Sequence, residues 1–173
     1  MNPQMGRSTD LSFDYFIPEL YLRISSSDKM IADQASAEWE DANQHYYQYL
    51  ETILPKMTAE ARNLAEFSCL HDTTLIDFRE ITAHETTVEL VVRNEEQLLT
   101  RLTYICWAPV RQSLPRTDLP TDCNGINWVL DEFQMVVELP SRFVHRILFS
   151  DGRRVEIPFS DVGMHTFRSG PVR

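Results

Sequence analysis

The chain has 173 residues, with 43% hydrophobic, 10% aromatic and 24% charged side chains, five glycines and nine prolines. That is about one domain's worth of sequence, enough to bury roughly 70% of its extended-chain surface without a metal or disulfide; the make-up excludes collagen, a disulfide scaffold and wholesale disorder. Sixteen basic against 26 acidic residues leave a net charge of −10, which argues against a nucleic-acid or anionic-membrane partner.

Residues 1–12 are polar and read as a loose leader, followed by one α+β domain over 13–163 and a tail over 164–173. No apolar run resembles the core of a secretory signal or approaches the roughly 20 residues of a membrane span, so a cytoplasmic location is expected. Phe13–Phe16 is a short aromatic segment, and Pro18 suits the first turn of a helix over Glu19–Ile24. Ser27 or Asp28 can cap the next helix. That helix, Lys29 to Leu54, places Ile31, Ala35, Trp39, Ala42, Tyr46, Tyr49 and Ile53 on one face by steps of three and four. Its aromatic stripe reads as core in preference to a binding box. Pro55 ends it, and a shorter helix runs from a Thr58 cap to about Cys69.

Beyond His71-Asp72 the period changes. Thr74–Thr82 and Thr86–Arg93 read as a hairpin joined through Ala83-His84-Glu85, and Gln97–Ala108 as a third strand closed by Pro109. A long loop covers 112–126. Trp128–Leu139 reads as a fourth strand, with a helix as the alternative.

The last hairpin permits a register argument. A two-residue Asp-Gly turn would mix charged and apolar residues on both faces. A three-residue Ser150-Asp151-Gly152 loop instead pairs Phe143 with Phe159, Ile147 with Val155 and Arg146 with Glu156. It gathers Phe143, His145, Ile147, Phe149, Val155, Ile157 and Phe159 on one face. Pro158 lacks an N–H donor and predicts an edge strand or a strand end. Helices followed by about six strands make the fold class α+β: N-terminal helices, one of them long and amphipathic, packed on a mainly antiparallel sheet.

Three phrases carry a resemblance. Tyr15-Phe16-Ile17-Pro18-Glu19-Leu20-Tyr21, the passage from Leu70-His71-Asp72 to Ile76, and the terminal Phe149-Ser150-Asp151-Gly152 hairpin closing with Ile157-Pro158-Phe159-Ser160-Asp161-Val162 together resemble a bacterial family known as a domain of unknown function. The likeness extends loosely over residues 13–163. It implies a small bacterial cytoplasmic α+β protein without an assigned activity. By analogy, helix-then-sheet proteins also occur among immunity proteins encoded beside secreted toxins.

The chemistry-bearing residues are few. Gly-rich phosphate loops, nucleophile elbows and His-Glu-x-x-His pairs are missing from the sequence, so no cofactor is expected. Cys69, Cys106 and Cys123 stand far apart; the first two read as core residues, while Cys123 near a histidine is the remaining candidate nucleophile. His71 and Asp72 are the candidate catalytic pair, as metal ligand or general base. The bland reading has His71 bonding free carbonyls at a helix end and Asp72 bonding backbone N–H groups in the turn. His71, His145, Asp161 and His165 would form a metal site if the strands converged on it, although His145, on the apolar face, reads first as a hydrogen-bonded core histidine. Charge is uneven: net −6 over residues 1–70, −7 over 71–139 and +3 over 140–173. The acidic outer side of the long helix (Asp33, Glu38, Glu40, Asp41, Glu51) could neutralise a basic partner. The expected function is a non-enzymatic protein-binding domain, immunity or regulatory in kind. The alternatives are a hydrolase using the His71/Asp72 region, with or without metal, and a homodimer or higher homo-oligomer with a structural role.

Overall fold

The computed structural model describes residues 11–67, 70–115, 125–138 and 140–168. Helix α1, Pro18–Ile24, begins at its proline. Helix α2, Lys29–Ile53, is capped by Asp28, whose Oδ1 accepts from the N–H groups of Met30 (2.9 Å) and Ile31 (3.4 Å). Of its expected apolar face, Ala35, Tyr46 and Ile53 are buried, Leu50 joins them, and Ile31 in the first turn is exposed. A 3-10 turn over Leu54–Lys56 carries Pro55, and Thr58 then caps helix α3, Ala59–Phe67, accepting from the Ala61 N–H at 3.3 Å. The expected end of this helix at Cys69 lies outside the described residues.

Seven strands follow among the described residues: β1 Thr74–Thr82, β2 Thr86–Arg93, β3 Leu98–Cys106, β4 Arg111–Gln112, β5 Ile126–Val137, β6 Arg142–Phe149 and β7 Arg154–Arg168. Strand β3 is shorter at both ends than expected. Gln97 has φ of +63° in the preceding turn, and the chain bends after Cys106. Residues 128–137 are strand, not helix, and β5 pairs with β6 along that whole length. β4, unforeseen, pairs Arg111 and Gln112 with Glu156 and Val155 of β7.

All neighbouring strands are antiparallel, and six of them close into a barrel in the order β1-β2-β3-β7-β6-β5. Closure was not anticipated, because both ladders that achieve it are non-local. The β3–β7 ladder runs from Leu98 opposite Arg168 to Cys106 opposite Phe159, so the last strand continues to Arg168 and does not stop near Phe159. Pro158 is therefore neither at an edge nor at an end. It falls where β7 exchanges β4 for β3 as neighbour, and its carbonyl accepts from the Trp107 N–H. The β6–β7 hairpin has the expected register, with Phe143 opposite Phe159, Arg146 opposite Glu156 and Ile147 opposite Val155. Gly152, at φ +76°, lets its N–H reach the Phe149 carbonyl, so the loop holds three residues. The seven residues assigned to the inner face are all buried.

The other closure, β1 to β5, consists of two residue pairs, Thr74–Asn127 and Leu75–Ile126. It depends on Gly125, where φ is +116° and a Cβ would stand 2.8 Å from Thr74 Cγ2. Beyond these pairs β5 has, among the described residues, an edge without a neighbouring strand, and α2 covers it. The Tyr46 hydroxyl accepts from the Phe133 N–H and the Tyr49 hydroxyl from the Met135 N–H, each at 2.8 Å. Two tyrosines thus replace a ladder partner, which explains why this stripe is aromatic and not aliphatic. Tyr46→Phe leaves a buried N–H without an acceptor and is expected to lower stability by about 1–3 kcal/mol, Tyr49→Phe by about 1. Urea unfolding of the two variants checks this; equal, negligible losses would exclude the edge-capping role.

The outer face of β5, β6 and β7 is covered by residues 11–24. Glu132 accepts from the Asp14 and Tyr15 N–H groups at 2.8 and 3.0 Å, and Arg154 donates to the Leu11 carbonyl at 3.1 Å. One apolar core joins the barrel interior to α2 and α3 through Tyr46, Leu50, Ile53, Met57, Ala61 and Leu64.

Candidate functional site

Among the described residues, the inner face of the barrel holds a chain of hydrogen-bonded polar groups centred on His145. His145 on β6 is fully buried, with its ring stacked on Phe133 (centroids 3.9 Å apart, planes at 16°). Its Nδ1 lies 2.8 Å from the Tyr104 hydroxyl on β3, and its Nε2 lies 2.9 Å from Asp131 Oδ2 on β5. Asp131 Oδ1 accepts from Trp128 Nε1 at 2.9 Å. An ionised carboxylate can only accept, so Nε2 carries a proton; a neutral ring then accepts at Nδ1 from the Tyr104 O–H. The two remaining polar atoms of the cluster, an indole and a phenol, each find the partner their burial demands.

Strand pairing explains this convergence. Phe133 stands opposite His145 and Asp131 opposite Ile147, so Asp131 and Phe133 share the inner face. Trp128 reaches the same face although its spacing from Phe133 is odd, because the register shifts between Trp128 and Leu130. Simple alternation from Trp128 would have turned Asp131 outward. Tyr104 arrives from β3, across the barrel.

Only the carboxylate end of the chain meets solvent. The His145 side chain is 0% exposed and that of Asp131 is 31% exposed. Asp131 opens into a groove of about 310 Å³ between α2, α3 and β5. Trp39, Tyr46 and Tyr47 supply its aromatic lining, and Asn43, Glu66 and Asp131 its polar groups. Burial pushes the Tyr46 phenol well above the usual value; the Asp131 charge adds to this and the bond to Phe133 opposes it. Burial, then Asp131, does the same to Tyr104.

His71 borders the same groove, and its Nδ1 lies 2.7 Å from Asp72 Oδ2. Both side chains are more than half exposed. Among the described residues these side chains contact each other, and neither forms the expected bond to backbone. Asp72 adopts φ of +65°, a conformation Asp tolerates, and its own N–H donates to the Trp128 carbonyl. The four metal-ligand candidates are not brought together. His71 is in the turn before β1, and His145 is sealed in the barrel. Asp161 accepts from the Thr58 hydroxyl at 2.6 Å, tying α3 to β7. His165 stacks on Phe167 near the end of β7. Among the described residues no three His, Cys, Asp or Glu side chains are grouped to hold a metal. Cys106 is buried, and Cys69 and Cys123 lie outside the described residues.

Fold and groove define a class, an α+β protein whose antiparallel barrel is filled by side chains and sealed along one seam by helices. No family model, curated protein or solved structure matches the chain. No helix among the described residues is long and apolar enough to cross a membrane.

Proposed function

We propose that this chain is a cytoplasmic, non-enzymatic protein-binding domain, with an immunity or regulatory role by analogy with helix-then-sheet immunity proteins. The observation that carries the reading is the orientation of the buried chain. Its imidazole, His145, is sealed, and what reaches the groove is a carboxylate already accepting two hydrogen bonds. A general base needs its titrating atom within reach of substrate. This arrangement hides that atom and presents an anion among aromatic rings, which suits recognition and not turnover.

Selection from a displayed random-peptide library tests the reading. Enriched peptides, resynthesised, are expected to bind saturably and to shift the NMR signals of the Trp39 indole and the Asn43 amide. Failure to enrich any peptide for the groove would overturn it. The second reading, a hydrolase, is favoured by one observation: Asp72 holds one nitrogen of His71 and leaves the other for a water at the groove rim. Turnover of ester, amide or phosphoester substrates that disappears in His71→Ala would establish that reading in place of the first.

A further inference from the structure

The chemistry of the groove specifies what enters it. Asp131 and Glu66 both line it, and among the described residues neither forms an ion pair with a lysine or arginine. Asp131 meets only His145 and Trp128; Glu66, exposed on α3, has no side-chain partner there, and neither has the Asn43 amide. Two other concave surfaces differ in this respect. In the groove beside β4, Glu156 is taken by Arg111 and Arg146 together, at 3.0 and 3.1 Å. In the hollow under α1, Arg154 is engaged by the Leu11 carbonyl and Glu19. Those surfaces have balanced their charge internally. The groove under α2 has not.

An unbalanced carboxylate at the foot of an aromatic groove attracts a cation that can also stack. A guanidinium does both: its N–H fork matches a carboxylate, and its weakly hydrated plane lies well on aromatic faces. Each Asp131 oxygen accepts one bond and retains a lone pair for a second. Asn43 adds a carbonyl acceptor and Glu66 a second charge above the floor. The rim extends the same field, because Asp72, Glu95 and Glu96 line a second hollow that shares His71 with the groove. In a chain of net charge −10 this concentrates negative potential at one entrance and speeds encounter with a basic surface.

We propose that the groove between α2, α3 and β5 receives an arginine side chain of a partner polypeptide, with Asp131 and Glu66 as its counter-ions and Trp39 and Tyr47 as its stacking surfaces. This rests on the protein-binding reading above and names the chemistry of the partner.

The test uses the whole chain and three short blocked peptides differing in one residue: arginine, lysine, or citrulline, the neutral isostere. NMR titration follows the Trp39 indole and Asn43 side-chain amide signals. Saturable shifts are expected with the arginine peptide, at about tenfold higher affinity than with citrulline, weakening as salt is added. Glu66→Gln, on an exposed side chain without a bond to lose, is expected to weaken arginine binding by about threefold. Asp131→Asn is expected to weaken it by about tenfold or more, with circular dichroism confirming the fold. Equal binding of arginine and citrulline, tighter binding of lysine, or shifts confined to residues outside the groove overturns the proposal, as does unchanged affinity in Glu66→Gln and a folded Asp131→Asn together. Library peptides that occupy the groove without an arginine sink this inference alone; no library peptide enriched for the groove sinks the protein-binding reading and this inference with it.

Discussion

Glu132→Ala is expected to lower the unfolding free energy by about 3–5 kcal/mol, about a fifth or more of the roughly 5–15 kcal/mol a domain commonly has. Glu132 lies on the outer face of β5, yet its side chain is 1% exposed, because residues 11–16 lie over it. Its two oxygens satisfy three donors: the Asp14 N–H, the Tyr15 N–H and Arg146 Nη1, the last at 3.0 Å. Arg146 is itself largely buried and bonds Glu156 through Nε and Gln134 through Nη2. Burial works against its charge, but the bonds from Glu132 and Glu156 and the Asp14 charge outweigh that and raise its pKa. Alanine removes a counter-ion from a largely buried guanidinium and strands two backbone donors at once. Glu132→Gln, which retains an acceptor without the charge, is expected to cost less, about 1–2 kcal/mol. Combining Glu132→Ala with Arg146→Met should cost less than the two singles together, by about 1–3 kcal/mol. Urea unfolding measures all four proteins, and faster proteolysis within residues 11–24 of Glu132→Ala reports release of that segment. A Glu132→Ala protein within about 1 kcal/mol of the parent would mean that the segment is held by its apolar residues, Phe13 and Phe16 above all.

The parts of this molecule that local chemistry decides were readable from the residues. The Asp28 and Thr58 caps, the first two strands and the β6–β7 register follow from neighbours a few positions apart. In that hairpin, only one loop length sorts seven apolar residues from Arg146 and Glu156. Barrel closure is of another kind. The β1–β5 seam is two residue pairs some fifty residues apart in sequence, and nothing near Leu75 points to Ile126. β4 is two residues long, too short for any periodicity. The polar chain was half legible: His145 reads as a bonded core histidine, but the partners Tyr104 and Asp131 do not, because a bulge reverses the apparent facing of Asp131. The aromatic stripe of α2 divides in a way spacing does not reveal. Tyr46 and Tyr49 close the free edge of β5, while Trp39 and the off-stripe Tyr47, with Tyr46, line the groove. The metal candidates were chosen by residue type, and type without distance assembled a site from four places the fold keeps apart.

Raising the pH should unfold this protein earlier than its acidic composition suggests, and the phenols of the core set the slope. In the folded chain Tyr104 and Tyr46 hold their protons well above pH 10, because burial and the Asp131 charge disfavour phenolate. In the unfolded chain both ionise near pH 10. Above that pH the unfolded state binds fewer protons than the native state, so stability is complete below about pH 10 and declines as pH rises. Each tyrosine contributes a slope of about 1.4 kcal/mol per pH unit until its folded pKa is reached. The Cys106 thiol adds an earlier, gentler decline. Burial first, then the Glu80 and Glu85 charges, moves it from 9.0 to about 11, so the unfolded chain starts to lose this proton about two units sooner. Tyr104→Phe separates the contributions. At neutral pH it costs about 1 kcal/mol, since His145 Nδ1 loses its donor; above pH 10 its stability curve should be flatter by about 1.4 kcal/mol per pH unit. The two curves then converge, and at sufficiently alkaline pH the variant is the more stable protein. Urea unfolding at a series of pH values between neutrality and the alkaline limb, with tyrosinate absorbance of the folded chain alongside, provides both readings. Parallel curves for parent and variant would show that the Tyr104 phenol titrates without restraint, and with it the buried Tyr104–His145–Asp131 chain on which the groove is built would have to be abandoned.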